Sequence, residues 1–274
     1  MVEPVKTPPV NRDRESGIWR NYLHLIPMVV VAVAFVGLWE LVFRLQIRPP
    51  YLLPSPSTVA RALYDLWISG ALPRAIAATL VRLGVGFLIS LVLGAILAFL
   101  SVHFTTFGKG IQPYILGLQT FPSIAWVPLT LIWFGFSETG LLFVTIVGSL
   151  FAVTASFADA LRTVPPVYLK AARNMGSDGM DLILRVTVPA ALPHLLTAAK
   201  VGWSFAWRSL IGAEIIFATV GLGFVLNEGA AYLLLSQVIG VMIVILVIGV
   251  VVDRGFFSRT EEWTRRRRGL IPSR

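Results

Sequence analysis

Long apolar runs, separated by short polar segments, dominate the pattern of this chain. Six of the runs approach or exceed the roughly 20 apolar residues that cross the hydrocarbon core of a bilayer as a helix. They cover residues 23–43, 75–100, 111–136, 140–157, 195–220 and 232–252. The pattern predicts an all-α, polytopic membrane protein with about six transmembrane helices.

The composition supports the same class. Hydrophobic residues make up 56% of the 274 residues and charged residues only 14%, whereas about a quarter of a soluble chain is charged. We interpret residues 23–252 as one transmembrane domain, residues 1–22 as an N-terminal tail and residues 253–274 as a basic C-terminal tail. The absence of cysteine excludes disulfides and thiolate chemistry, and the three histidines are scattered, so neither a metal site nor a cofactor is predicted.

The distribution of positive charge predicts the orientation. Sixteen Lys and Arg residues lie in the two tails and in residues 101–110 and 158–189, against four on the opposite side of the predicted helices. Because positive residues are retained on the cytoplasmic side, both termini and the 158–189 loop are predicted to be cytoplasmic. The basic run Arg265–Arg268 is then expected to bind anionic membrane lipid, and not nucleic acid.

The third apolar run contains three prolines and is predicted to be kinked or broken. Irregular backbone at membrane depth is tolerated only where it lines a cavity or packs within protein. Polar residues beside the break at Pro122 are therefore candidates for a translocation pathway: Gln119, Thr120 and Ser123.

Charges inside the predicted helices each need a partner or water. We predict that Arg82 pairs with Glu214, with Glu40 as the alternative partner. Glu40 is also predicted to pair with Arg44. Lys200 is predicted to extend its ammonium group to the membrane interface. Arg208 and Glu214 are both candidates for the translocation pathway. For Arg208 the reason is that a cation in the pathway would lower the barrier for an anion. A purely structural role for Arg208 remains the alternative.

Two further patterns concern helix contacts. Small residues four apart in the second run indicate close helix packing, either inside the subunit or in a dimer: Gly86, Ser90, Gly94 and Ala98.

The polar loop from Lys170 to Pro189 predicts a short helix over 169–175, a left-handed end at Gly176 and a second helix over 178–186. Pro189 would mark the entry to the fifth apolar run.

This loop resembles the cytoplasmic signature of ABC importer permeases, in which Glu-Ala-Ala, three residues, Gly, nine residues, Ile, one residue and Leu-Pro recur. Ala171, Ala172, Gly176 and Pro189 match at the same spacing, whereas Lys170 replaces the Glu. Val186 and Val188 stand for Ile and Leu. Other stretches, including LLPSPSTV and AEIIFATVGLG, are similar to permeases of nitrate, taurine, alkanesulfonate and bicarbonate importers.

The resemblance implies a non-catalytic membrane subunit of a bacterial inner membrane, paired with a second copy of itself. Cytoplasmic ABC ATPases would contact the loop at Lys170, Ala171, Ala172, Gly176 and Pro189, and an extracytoplasmic binding protein would deliver a small oxyanion or sulfonate. The chain contains no GxxxxGK[ST] phosphate loop, in agreement with a separate ATPase. A stand-alone secondary transporter or channel is the alternative.

Overall fold

The computed structural model describes residues 26–217 and 219–267. The chain divides into two compact units, residues 1–60 and 61–274. The predicted N-terminal tail, the first residues of the first apolar run and the end of the basic run at Arg268 lie outside the described residues.

The first unit contains α1 (Ile26–Arg44), which coincides with the first predicted transmembrane helix. Glu40 and Arg44 form the predicted ion pair, with 2.7 Å between Oε1 and Nε. The indole Nε1 of Trp39 donates to the carbonyl of Pro54 at 3.1 Å. α2 (Pro56–Ile68) follows and continues into the second unit; Ser55 caps it by accepting from the Thr58 N–H at 3.2 Å.

The second unit is helical throughout its described part. Its helices are α3 (Ala71–His103), α4 (Thr105–Thr120), α5 (Val127–Phe134), α6 (Glu138–Arg162), α7 (Pro166–Asn174), α8 (Gly179–Leu182), α9 (Val188–Phe217), α10 (Leu222–Ala231), α11 (Leu235–Val252) and α12 (Arg259–Arg267). A 3-10 turn, Ser123–Trp126, precedes α5. Two π-helical turns, Ile183–Thr187 and Asp253–Ser258, join α8 to α9 and α11 to α12.

Four helical segments among the described residues are long and apolar enough to cross a membrane: Ala71–His103, Glu138–Arg162, Gly179–Phe217 and Leu235–Glu261. A fifth span results if α4 and the Ser123–Phe134 segment count as one, although the two are bent by 97°. The predicted break in the third apolar run is therefore confirmed, and it lies at Phe121 and Pro122. The count of six stays a prediction, because α1 begins at the edge of the described residues.

Two helices continue well beyond their predicted ends, and one helix was not predicted. The second helix of the 158–189 loop does not end at Val186 but continues through the π turn into α9. The last apolar helix likewise continues beyond residue 252 through Asp253–Ser258 into α12. Helix α10 was not predicted at all, because its ten residues fall between two apolar runs and are too short to form one.

The core is built on α6, which packs against α3 on one side and α9 on the other. The four small residues of α3, Gly86 to Ala98, are all buried. A Cβ at Gly86 would lie 2.8 Å from Thr145 Cγ2, and one at Gly94 would lie 2.6 Å from Val153 Cγ1. Ser90 accepts a hydrogen bond from Ser149 at 2.8 Å. These contacts confirm that the small residues serve packing inside the subunit.

Candidate functional site

The 158–189 loop turns at a glycine, as predicted. Gly176 has φ +87°, a conformation that costs other L-residues about 1–2 kcal/mol. Its N–H donates to the Arg173 carbonyl at 2.9 Å, and the Ser177 N–H reaches back to the Ala172 carbonyl at 3.0 Å. This pair of bonds is a Schellman motif, which satisfies the last carbonyls of α7 and fixes the direction of the chain that follows.

Although the sequence of this loop is largely polar, several of its large apolar side chains are exposed at the surface. Five large side chains are between 55% and 81% exposed: Val167, Tyr168, Met175, Met180 and Leu184. Lys170 and Ala171 are also exposed, whereas Ala172 is 3% exposed and packs within the chain. Several large apolar side chains exposed within one short polar loop are typical of a site of interaction.

The loop connects to α9 without a break. Gly179–Phe217 forms one helical run of 39 residues. Pro189 lies in the first turn of α9 and has no N–H to donate to the carbonyl four residues earlier. The π-helical turn Ile183–Thr187 ends directly before α9. The Val188 N–H donates to the Ile183 carbonyl, five residues back. The second part of the loop and α9 therefore share one helical run.

A cluster of charges lies at the other end of the same helices; we call it the charged cluster, comprising Thr79, Arg82, Glu138 and Glu214. Arg82 Nη1 donates to Glu214 Oε1 at 2.9 Å, which confirms the predicted pair. Its Nε and Nη2 also donate to the two oxygens of Glu138 at 2.6 and 2.5 Å. Sequence reasoning missed Glu138, because it lies in the first turn of α6, outside the charges considered within the apolar runs.

Glu214 is completely buried and fully hydrogen-bonded. It accepts from Thr79 Oγ1 at 2.9 Å and from the Gly223 N–H at 3.1 Å, in addition to Arg82. A Cβ at Gly221 would lie 2.4 Å from the carboxylate, so the segment after α9 closes tightly over it. In this conformation Glu214 has no surface that a solute can touch, and its contacts are those of a structural residue.

Arg208 differs from Glu214 in every respect. It is exposed, its Nε donates to the Ser204 carbonyl at 3.1 Å, and its guanidinium lies 4.6 Å from the centre of the Phe205 ring. Arg208 and Glu214, six residues apart on α9, therefore face different directions. Arg208 has a backbone partner and an exposed side chain.

The predicted polar residues near Pro122 are divided between surface and core. Gln119 is half-buried, and Thr120 is exposed with its hydroxyl bonded to the Gly117 carbonyl at 2.8 Å. Ser123 is half-buried against α6: a Cβ at Gly148 would lie 2.8 Å from Ser123 Cβ and 2.2 Å from Ser209 Oγ. The break thus approaches α9 at the residue next to Arg208. In the described part of the chain, no group of three His, Cys, Asp or Glu could hold a metal ion.

Comparison with known proteins decides the family. The family model of binding-protein-dependent transport system inner membrane components matches residues 90–256. The chain belongs to this family. It is the permease component of an ABC importer, a multi-pass helical membrane subunit, as the loop motif implied.

Relatives and a solved structure agree with this assignment. The permease is 29% identical to the taurine transport system permease of Escherichia coli strain K12, over 79% of this chain and 81% of the relative. It is 31% identical to the formylaminopyrimidine transport permease of Halalkalibacterium halodurans, over 78% and 81%. A structure of inward-facing conformations of the MetNI methionine ABC transporter superposes with a TM-score of 0.61 at 19% identity, covering 71% of this chain and 96% of that one.

Proposed function

We propose that the permease forms the membrane pathway as a homodimer, while separate cytoplasmic ABC ATPases supply the energy and an extracytoplasmic binding protein supplies the solute. The permease itself catalyses no reaction. It lies in a bacterial inner membrane with both termini in the cytoplasm, since the positive residues are concentrated on that side.

The exposed apolar surface of the 158–189 loop carries this proposal. A monomeric soluble surface seldom leaves several large apolar side chains together in water, so Tyr168, Met175 and Met180 favour a protein partner at this loop. Lys170 and Ala171 border the surface and contact the partner, whereas Ala172, Gly176 and Pro189 shape the loop. With Lys170 in place of an acidic residue, the contact at this position requires an acidic or neutral surface on the ATPase.

The coupling follows from the rigid connection to α9. When ATP closes the ATPase subunits, α7 and the turn at Gly176 move with them, and the continuous run from Gly179 to Phe217 transmits the displacement across the membrane. The packing of α6 between α3 and α9 extends the movement to the rest of the bundle. Access to the pathway then alternates between the two sides.

The proposed solute is a small oxyanion or sulfonate, such as nitrate, taurine, an alkanesulfonate or bicarbonate. The taurine permease of Escherichia coli supports this class. Arg208, the predicted pathway cation, points its guanidinium back toward the start of α9, so the solute class does not depend on it. Glu214 has no exposed surface in this conformation and acts on the pathway through structure. The residues at the Pro122 break, Gln119, Thr120 and Ser123, are the uncharged polar candidates for the pathway.

The decisive experiment reconstitutes the permease with its ATPase and binding protein in liposomes. Gly176→Val forces a β-branched residue to φ +87° and moves the loop. We expect it to insert normally but to lose solute-stimulated ATP hydrolysis at least about tenfold, since a misplaced contact loses 1.4 kcal/mol or more. Gly110→Val is the matched control, because Gly110 is helical and nothing lies within 4 Å of its Cβ position.

Two results contradict the proposal. One is full coupling in Gly176→Val; the other is solute uptake by the permease without any ATPase, as for a secondary transporter. Because the chain has no cysteine, Tyr168→Cys provides a unique label for orientation. Reaction of that cysteine with an impermeant maleimide from the extracytoplasmic side alone overturns the proposed topology.

A further inference from the structure

A cavity of about 650 Å³ lies between α9 and α11. Its lining comprises Trp203, Ser204, Trp207 and Arg208 from α9 and Gly249, Val250, Asp253 and Arg254 from α11 and the turn after it. The volume is in the range of small-ligand sites. None of the contacts within the charged cluster or the 158–189 loop involves these residues.

The cavity lies at the cytoplasmic end of α11 and beside the middle of α9, given the orientation proposed above. Lys200 Nζ and Asp253 Oδ1, 3.0 Å apart, tie the two helices together at that end. Arg208 lies eight residues further along α9, about 12 Å at 1.5 Å per residue. Its side chain points back along the helix, since its Nε bonds to the Ser204 carbonyl. The guanidinium therefore faces the cytoplasmic interface and not the centre of the membrane.

The lining combines hydrogen-bond donors with apolar rings. Trp203 and Trp207 stack with 6.4 Å between ring centres and an angle of 11°. The Trp207 Nε1 lies 3.5 Å from the Cβ position of Gly249. Within the described residues it has no acceptor. Asp253 pairs with Lys200, so its carboxylate is not paired with the Arg208 guanidinium.

We propose that this cavity binds the phosphate headgroup of an anionic phospholipid from the cytoplasmic leaflet. Arg208 pairs with the phosphate and the Trp207 N–H donates to it, while the acyl chains lie along the exposed apolar face of α11, including Leu246, Val247 and Val251. Basic pockets between transmembrane helices on the cytoplasmic side have this chemistry, and tryptophan favours this depth. A free anion shares the headgroup chemistry but lacks the acyl chains.

The test measures thermal unfolding of the full-length permease in detergent with added phosphatidylglycerol or phosphatidylcholine. Phosphatidylglycerol is expected to raise the unfolding temperature saturably by about 3 °C, as bound ligand stabilises the folded state. Arg208→Gln abolishes the shift, and Trp207→Phe, which keeps the ring but loses the N–H, reduces it. Arg61→Gln removes the same charge from the exposed face of α2 and keeps the full shift.

Quenching supports the test where a variant folds poorly. Brominated phosphatidylglycerol is expected to quench the tryptophan fluorescence of the unmodified permease at lower mole fraction than brominated phosphatidylcholine. Equal effects of the two lipids overturn the proposal. An Arg208-dependent shift produced by phosphate, sulfate or taurine without phosphatidylglycerol also overturns it, and assigns the cavity to a free anion. The outcome of the Gly176→Val coupling assay, whichever it is, affects neither measurement. Failure of the proposed function and failure of this lipid proposal are therefore distinguishable.

Discussion

The two ends of the helical bundle in the second unit use polar residues and glycines in opposite ways. In the charged cluster, Glu214 is buried and its hydrogen-bond donors come from the same chain. In the 158–189 loop, Gly176 has nothing within 4 Å of its Cβ position, and Met175 is 81% exposed. The polar groups of the charged cluster are hydrogen-bonded within the chain, whereas the loop exposes apolar side chains that a partner could cover.

This difference separates structural from functional interpretations of similar residues. A buried carboxylate inside a membrane helix indicates a functional site by default. Here the contacts of Glu214 with Arg82, Thr79 and Gly223 satisfy it within the chain, so its first role is to hold α3, α9 and α10 together. The large apolar side chains of the loop are exposed instead, and we propose that they serve association. Stability and coupling are thus expected to respond to changes at different ends.

The largest effect on stability is expected from Glu214→Ala. The change leaves Thr79 Oγ1 and the Gly223 N–H without the Glu214 acceptor in a buried site, at a cost of about 1–3 kcal/mol for each group. Arg82 loses one of its two carboxylate partners and keeps Glu138. The measurement is the unfolding temperature and folded yield in detergent. Glu228→Ala, at an exposed carboxylate on α10, is the control and should change stability little. Equal stability of the two variants would remove the distinction between the two ends.

Gly223→Ala is expected to have an intermediate effect. Its Cβ would lie 2.7 Å from the Ile211 carbonyl oxygen and 2.9 Å from the Ile215 nitrogen, and backbone atoms of α9 have no room to move. Overpacking of this kind costs about 1–3 kcal/mol. Chemical denaturation of the detergent-solubilised permease measures it. Gly84→Ala, on α3 with open space around its Cβ position, should be neutral or slightly stabilising; if it costs as much, close packing is not the cause.

Met175→Ser is expected to change stability least and association most. Met175 is at the surface of the loop, and exposed positions usually change stability by less than about 0.5 kcal/mol. Its loss from an interface centre weakens association with the ATPase by about tenfold, or 1.4 kcal/mol. Titration of ATPase subunits onto the reconstituted permease measures this, with thermal unfolding in parallel. Unchanged association together with a loss of stability would reverse the roles of the two ends.

Much of this architecture was accessible from the residue pattern. The apolar runs located α3, α6, α9 and α11, proline density located the break near Pro122, and the spacing around Gly176 predicted its left-handed turn. The pairing of Arg82 with Glu214 was one of two predicted alternatives, and the structure decided between them. These signals are local, or depend only on the rise of a helix. They can therefore be interpreted without knowing which helices pack against each other.

Other features depended on contacts that no local pattern contains. Glu138 binds Arg82 across 56 positions of sequence, and nothing near Glu138 indicates that α6 begins beside α3. The burial of Ala172 and the direction of Arg208 toward the cytoplasmic end of α9 were likewise not predicted. The motif match treated Ala171 and Ala172 alike, and only packing separates them.

The sequence by itself determined which segments are apolar enough to enter a membrane, which side retains the positive charge and where the loop turns, because hydrophobicity, charge and backbone preference add up along a local stretch. The tertiary structure alone decided which buried charges meet, which small residues serve internal packing and which surfaces stay open. Those outcomes depend on which helices become neighbours, and hydrogen bonds and steric contacts act only over a few ångströms between residues that are far apart in the chain.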